Sequence, residues 1–247
     1  MYWALGPPSR RTERARPGTV HNGLMINEPV PARSLRVMTF NIRGLRDDAA
    51  AVTQVLRETG PDVVAVQEPP RGPFARLRLR RVAEAAGLEV AVQGGGARTT
   101  ALLVRAGVQV TGRRAIGLPW RGRTRRGMAV GDVDGVRVVS LHLGLSAAER
   151  ARHARRLHTL VTSAPAGVVV AGDFNEPPGG PVRRRLGLHL RDLTSGTRPT
   201  FPAGRPTQRI DAVLGSAGLV PSGARAVGGD AARRASDHLP VVVDLQW

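Results

Sequence analysis

Asp173 and Asn175 lie in Gly172-Asp173-Phe174-Asn175, directly after the apolar run Val168-Val169-Val170-Ala171. A short β-branched run that follows turn residues at Pro165-Ala166-Gly167 predicts a buried strand, so a carboxylate and an amide emerge at its C-terminal end. Open α/β sheets place their chemistry at such ends. A second signal, Ser236-Asp237-His238-Leu239-Pro240, leads into Val241-Val242-Val243 and adds an imidazole. A carboxylate, an amide and an imidazole gathered at strand ends point to phosphoester cleavage, which needs a proton acceptor and donors for a charged oxygen.

Other predicted strands repeat the pattern. Leu35-Arg36-Val37-Met38-Thr39-Phe40-Asn41 ends in an amide, Asp62-Val63-Val64-Ala65-Val66-Gln67-Glu68 ends in a carboxylate, Ser140-Leu141-His142-Leu143 carries an imidazole, and Arg209-Ile210-Asp211-Ala212-Val213-Leu214 holds a carboxylate within a strand. Taken singly, each has an ordinary reading: Asn41 ends a strand, Glu68 pairs with an arginine, His142 is a hydrogen-bonded core histidine. Burying such groups without purpose costs on the order of several kcal/mol each, so their joint occurrence marks a shared site.

The intervening segments supply the scaffold. Asp47 or Asp48 caps a helix through about Glu58, with Val52, Val55 and Leu56 inward, and Gly60-Pro61 stops it, which makes a βαβ unit with the flanking strands. A helix from about Pro73 to Ala86 is expected to turn Phe74, Leu77 and Val82 inward. Gly94-Gly95-Gly96 reads as a hairpin connection, since no phosphate-loop pattern surrounds it. Met128 to Val133 and Val136 to Leu143 form a hairpin around Asp134-Gly135, which makes Asp132 and Asp134 turn residues. Ser146-Ala147-Ala148-Glu149 has capping-box spacing and opens a helix to about Thr162, whose Arg152, His153, Arg155, Arg156 and His158 are expected on a solvated face. Beyond Gly179-Gly180 the chain reads as loop until Arg209.

The 247 residues are 41% hydrophobic, 23% charged and only 3% aromatic, a globular composition whose core must rest on Val, Leu and Ala. One domain over 34–247 is expected, preceded by a disordered basic arm over 1–33 or a start assigned upstream of Met25. With no cysteine, a disulfide framework, a thiolate metal site and a cysteine nucleophile are excluded. No run reaches the roughly 18 apolar residues of a membrane span, and no export signal is evident, so a cytoplasmic location is expected. The net charge of +18 comes from 37 basic and 19 acidic residues, every basic one an arginine, and such a field draws polyanions. Arg121-Gly122-Arg123-Thr124-Arg125-Arg126 is its densest loop, read either as a grip on a polyanion or as a solvated loop.

In chain order, Thr39-Phe40-Asn41-Ile42-Arg43, Gln67-Glu68, Ser140-Leu141-His142, Gly172-Asp173-Phe174-Asn175, Arg209-Ile210-Asp211 and Ser236-Asp237-His238 resemble the endonuclease/exonuclease/phosphatase superfamily. The resemblance implies an α/β four-layer sandwich, two mixed β-sheets flanked by helices, as in DNase I. It further implies Mg²⁺, with Mn²⁺ as substitute, held by Asn41, Glu68 and Asp237, because Mg²⁺ prefers oxygen ligands. His142, Asp173, Asn175, Asp211 and His238 become the catalytic set: Asp173 deprotonates the attacking water, Asn175 holds it, His238 steadied by Asp211 contacts the phosphoryl oxygen, and His142 is a further phosphate donor.

Two departures bear on substrate. Arg43 and Arg46 stand where some abasic-site endonucleases carry a carboxylate, and Glu176-Pro177-Pro178 replaces the aromatic and arginine that follow the aspartate motif in inositol polyphosphate 5-phosphatases. The basic balance favours a phosphodiester in nucleic acid, cut by an endonuclease or exonuclease. The alternatives are a phosphatase or phosphodiesterase for a lipid head group or small phosphorylated molecule, and a non-catalytic nucleic-acid-binding protein. A phosphoester substrate, possibly DNA, no membrane span and a monomer are the expected partners and state.

Overall fold

The computed structural model describes residues 33–120, 124–163 and 167–247. The predicted arm lies outside them except for Arg33, whose N–H and C=O pair with Trp247 at 3.2 Å each, and so do Arg121 to Arg123 and part of the turn before Val168.

The chain begins with β1 (Ser34–Asn41), helix α1 (Ala49–Thr59) and β2 (Val63–Gln67), and β1 and β2 pair in parallel as the βαβ pattern requires. The Asp48 side chain accepts the Ala51 N–H at 2.9 Å and Gly60 closes the helix at φ +57°, so the sequence signals act as cap and stop. Next come α2 (Ala75–Ala85), β3 (Leu88–Gln93), β4 (Thr100–Arg105), β5 (Val110–Gly117), β6 (Gly127–Val133) and β7 (Val136–His142). Helix α3 (Ala147–Thr162) leads to β8 (Val168–Asp173), then α4 (Pro181–Leu186), β9 (Arg191–Asp192), β10 (Asp211–Gly215), β11 (Val220–Ala226), α5 (Asp230–Ala235) and β12 (Val241–Gln246).

The strands form two six-stranded mixed sheets, ordered β11-β12-β1-β2-β4-β3 and β5-β6-β7-β8-β10-β9. One apolar cluster fills the space between them, including Val37, Val63, Val138, Val169 and Val213. A second packs the outer face of the first sheet, through Met38, Phe40 and Val64, onto the helices α1, α2 and α5. A third packs Val139, Leu141 and Val170 of the other sheet onto α3 and α4, through Leu157 and Leu186. The result is the DNase I-like sandwich of four layers.

The two-residue period of each strand then positions the site. Facing inward, β1 presents Leu35, Val37, Thr39 and Asn41, β2 presents Val63, Ala65 and Gln67, β7 presents Val138, Ser140 and His142, and β8 presents Val169, Ala171 and Asp173. The inner layer thus changes from apolar to polar toward one edge. Side-chain bonds bind that transition: Thr39 Oγ1 donates to Gln67 Oε1 at 3.1 Å, and Ser140 Oγ donates across the sheets to Val66 O at 3.0 Å.

Three expectations are corrected. Phe74 and Leu77 are 77% and 41% exposed, because α2 starts one position after Phe74 and buries the stripe Leu79, Val82 and Ala83 instead. His153 is buried, since it continues the i, i+4, i+7 stripe of Leu157 and Leu160. The stretch after Gly180 holds α4 and β9, whose order depends on Arg183 and Arg209 converging on Asp192, an ionic knot that hydrophobic periodicity does not register.

Candidate active site

Strand pairing brings the predicted residues together. In the parallel ladder of β7 and β8, His142 lies opposite Asp173, and in the antiparallel ladder of β8 and β10, Asp211 does. Asp173 is buried: its Oδ1 accepts the Asn175 N–H at 2.8 Å and its Oδ2 accepts Asn41 Nδ2 at 3.4 Å. The Nε2 atoms of His142 and His238 stand 3.4 and 3.9 Å from the same Oδ2.

His238 is clamped from the other side. Its Nδ1 lies 2.9 Å from Asp211 Oδ2, which also accepts the Thr200 hydroxyl at 2.6 Å, and its ring packs on Phe201 with centroids 4.7 Å apart. Burial opposes a charge on the imidazole, but Asp211, by charge and hydrogen bond, and then Asp173 outweigh it and raise the group to about 9. Asp173 is raised as well, to about 7, first by burial and second by Asp211, which for a carboxylate favours the neutral form. His142 is held well below its ordinary value, first by burial and then by Arg126, so its ring is neutral. The cluster therefore pairs an imidazolium with a carboxyl group able to take up a proton near neutral pH.

The remaining residues occupy the adjoining rim. Asn41 Oδ1 accepts the Arg43 N–H at 3.1 Å, while the Ser236 hydroxyl donates to Asn41 O at 2.7 Å, tying the β1 end to the segment before β12. Glu68 is half-buried, its backbone N–H bonds Thr99 O at 2.9 Å, and its carbonyl accepts the Gly44 N–H at 2.7 Å. Asp237 Oδ2 lies 3.3 Å from Arg43 Nε, a pairing that sequence reading missed. Asn175 Nδ2 donates to Leu143 O at 2.9 Å, so its amide oxygen is the part left for a ligand. Arg43, Glu68 and Asn175 all adopt positive φ, 44°, 49° and 49°, and such backbone in non-glycine residues is concentrated at functional edges.

Asp173, Asp211 and His238 offer ligand atoms within 4.8 Å of one another, a spacing that would admit a metal. His238 Nδ1 and Asp211 Oδ2 are engaged with each other, however, so this trio is built as a proton-holding dyad beside a carboxyl group.

A family model described as the endonuclease/exonuclease/phosphatase family matches residues 38–238. The chain belongs to that family. Members of the endonuclease/exonuclease/phosphatase family hydrolyse phosphoesters. Curated proteins return no match. Among solved structures, the endonuclease/exonuclease/phosphatase of Beutenbergia cavernae DSM 12333 is 26% identical with a TM-score of 0.66, over 87% of this chain and 72% of that one. The mannosyl-6-phosphatase Bt3783 of Bacteroides thetaiotaomicron VPI-5482 aligns at 17% identity and TM-score 0.68, over 85% of this chain and 99% of that one. TDP2 of D. rerio, complexed with a single-strand DNA product, aligns at 19% identity and TM-score 0.66, over 86% and 98%. The last two likenesses show a shared fold.

Two residues of this family member escaped sequence reading. Thr200 orients Asp211 from a Thr-Phe-Pro stretch that carries no motif signal. Arg126 was submerged in its basic loop, yet it is buried, and its position immediately before the apolar start of β6 was the available clue.

Proposed function

We propose that the chain is a Mg²⁺-dependent hydrolase of phosphodiesters in nucleic acid, with Mn²⁺ as substitute. The observation that carries this reading is the buried Asp173 carboxyl group within reach of His142 and of the His238–Asp211 pair. The metal fits the neighbouring donors: among the described residues no hydrogen bond or ion pair engages the Glu68 carboxylate, and Asn41 and Asp237 add further hard oxygens. Such an ion supplies Lewis acidity toward the phosphoryl oxygen and offsets charge on the departing oxygen.

The chain's own groups do the rest. Asp173 takes the proton of the attacking water, and the Asn175 amide oxygen accepts the water's other hydrogen. His238 donates from Nε2 to a phosphoryl oxygen, with Nδ1 fixed on Asp211 so that the ring cannot turn away. Neutral His142 donates a second hydrogen bond to that group.

Nucleic acid is favoured by the net charge of +18 and by Arg43, Arg46, Arg71, Arg78 and Arg126 around the rim. The fold shared with TDP2, complexed with a single-strand DNA product, supports the same reading. A small phosphorylated molecule is the second reading, favoured by the pocket of about 310 Å³ beside Glu68 and by the fold shared with a mannosyl-6-phosphatase.

The test is turnover of plasmid DNA, abasic duplex, RNA, a nitrophenyl phosphodiester, inositol phosphates and sphingomyelin, with Mg²⁺ and with chelator. Asp173→Asn is expected to lower turnover of the cleaved substrate at least about 100-fold, as loss of a general base does. Cleavage insensitive to chelator and to this substitution would refute the mechanism, and nucleic-acid binding with no turnover of any phosphoester would replace it with a binding protein.

A further inference from the structure

Three buried polar atoms, Arg126 Nη1, Thr99 Oγ1 and His142 Nδ1, have no hydrogen-bond partner among the described residues, and all three residues line one pocket. Arg46, Arg71 and Arg78 line it as well. Only 7% of Arg126 is exposed, and among the described residues no carboxylate forms an ion pair with it; Asp173, Glu149 and Glu68 act on it only from a distance. A guanidinium in that position has lost water without gaining an anion, and Arg71 beside it adds repulsion.

A leucine or methionine at 126 would pack there without the desolvation cost. The backbone is nevertheless held fast, because Arg126 O accepts the Leu118 N–H at 3.0 Å and the next residue, Gly127, lies so close to Gly96 that a Cβ would come within 1.9 Å of Gly96 O. A guanidinium on a fixed backbone with Nη1 unpartnered, a free hydroxyl and three further arginines form a cradle suited to a phosphate, which guanidinium groups bind through paired N–H bonds.

We propose that this pocket is an anion subsite that takes a second phosphate of the substrate, adjacent to the phosphodiester being cut. Glu68 and His142 line both this pocket and the proposed reaction centre, so the two phosphates would belong to neighbouring positions on one strand. The subsite deepens the nucleic-acid reading and rests on it for its substrate, but its affinity for phosphate is measurable without turnover.

The experiment has a binding arm and a kinetic arm. In chelator, calorimetry of the full chain with thymidine 3′,5′-bisphosphate is expected to show binding that weakens at least about 10-fold in Arg126→Gln. Arg71→Gln, which changes an exposed side chain and is therefore compatible with folding, is expected to weaken it in the same direction. In Mg²⁺, thymidine nitrophenyl phosphodiesters are compared with and without the additional phosphate at the other ribose oxygen. That phosphate is expected to lower KM at least about 10-fold for one of the two isomers, an advantage that Arg126→Gln abolishes. The proposal is overturned if bisphosphate binds wild type and both folded variants equally, or if neither isomer gains from its second phosphate. Arginine-dependent bisphosphate binding by a chain that cuts no phosphodiester would support the subsite and refute the reading on which its substrate rests.

Discussion

His153 shows what one side chain costs when it joins an apolar stripe. Its Nε2 lies 3.2 Å from Pro119 O, its Nδ1 has no partner among the described residues, and burial depresses its pKa below the ordinary 6.5 despite Glu149 and the Pro119 bond. Arg126 and Arg152 push in the same direction as burial. Because the folded pKa lies below the unfolded one, the unfolded chain takes up more protons as pH falls through about 6.5, and His153 then destabilises the native state. Against His153→Gln, wild type should therefore lose stability between pH 7.5 and 5.5, read as a relative fall in urea midpoint. The comparison cancels the opposite trend from Asp173, whose raised pKa favours the folded state as pH falls. A constant difference between the two proteins would mean that His153 is not buried in neutral form. At this scale sequence reading succeeds where a polar residue ends an apolar run, as at Asp173, and fails where burial depends on what lies opposite, as at His153 and Arg126.

The elements convert strand alternation into a site. The inner-facing rows of β1, β2, β7 and β8 start with valine or leucine and end with an amide, carboxylate or imidazole, so the register that fills the core also brings these groups to one edge. The strand ends were legible because short β-branched runs stop at polar residues. The pairing of Asp211 with Asp173 was not, since it joins segments separated by α4, β9 and a loop held by ionic contacts. At Gly172 the register leaves no room for a side chain. A Cβ there would lie 2.0 Å from Leu141 O, a backbone atom of the neighbouring strand that cannot swing aside. Gly172→Ala should destabilise the fold by about 2 kcal/mol or more, as overpacking does, measured by denaturant unfolding. It should also weaken catalysis, because the strand that shifts carries Asp173. A variant with the wild-type midpoint would show that β7 and β8 can separate without cost.

At the scale of the whole molecule the decisive property is charge. The whole sequence carries a surplus of +18, and the polar edge of the fold carries five rim arginines, so the long-range field and the local contacts point toward the same kind of ligand. Arginine usage alone left two readings open, compositional bias or phosphate contact, because sequence does not say which arginines share a surface. Their gathering around Glu68 and His142 favours contact. A duplex held by neutralised phosphates releases counterions, and its affinity falls with a log–log salt slope of about −0.9 per contact. If at least three of the rim arginines meet DNA phosphates, the affinity of Asp173→Asn for duplex should fall with a slope steeper than about −2 in fluorescence anisotropy between 50 and 200 mM salt, the range over which this effect is large. Replacing Arg46 and Arg78 together by Gln should make that slope shallower by one to two units, roughly one per lost phosphate contact. A shallow slope in the parent, with cleavage of a small phosphoester intact, would move the substrate from nucleic acid to the smaller molecule while leaving the reaction chemistry in place.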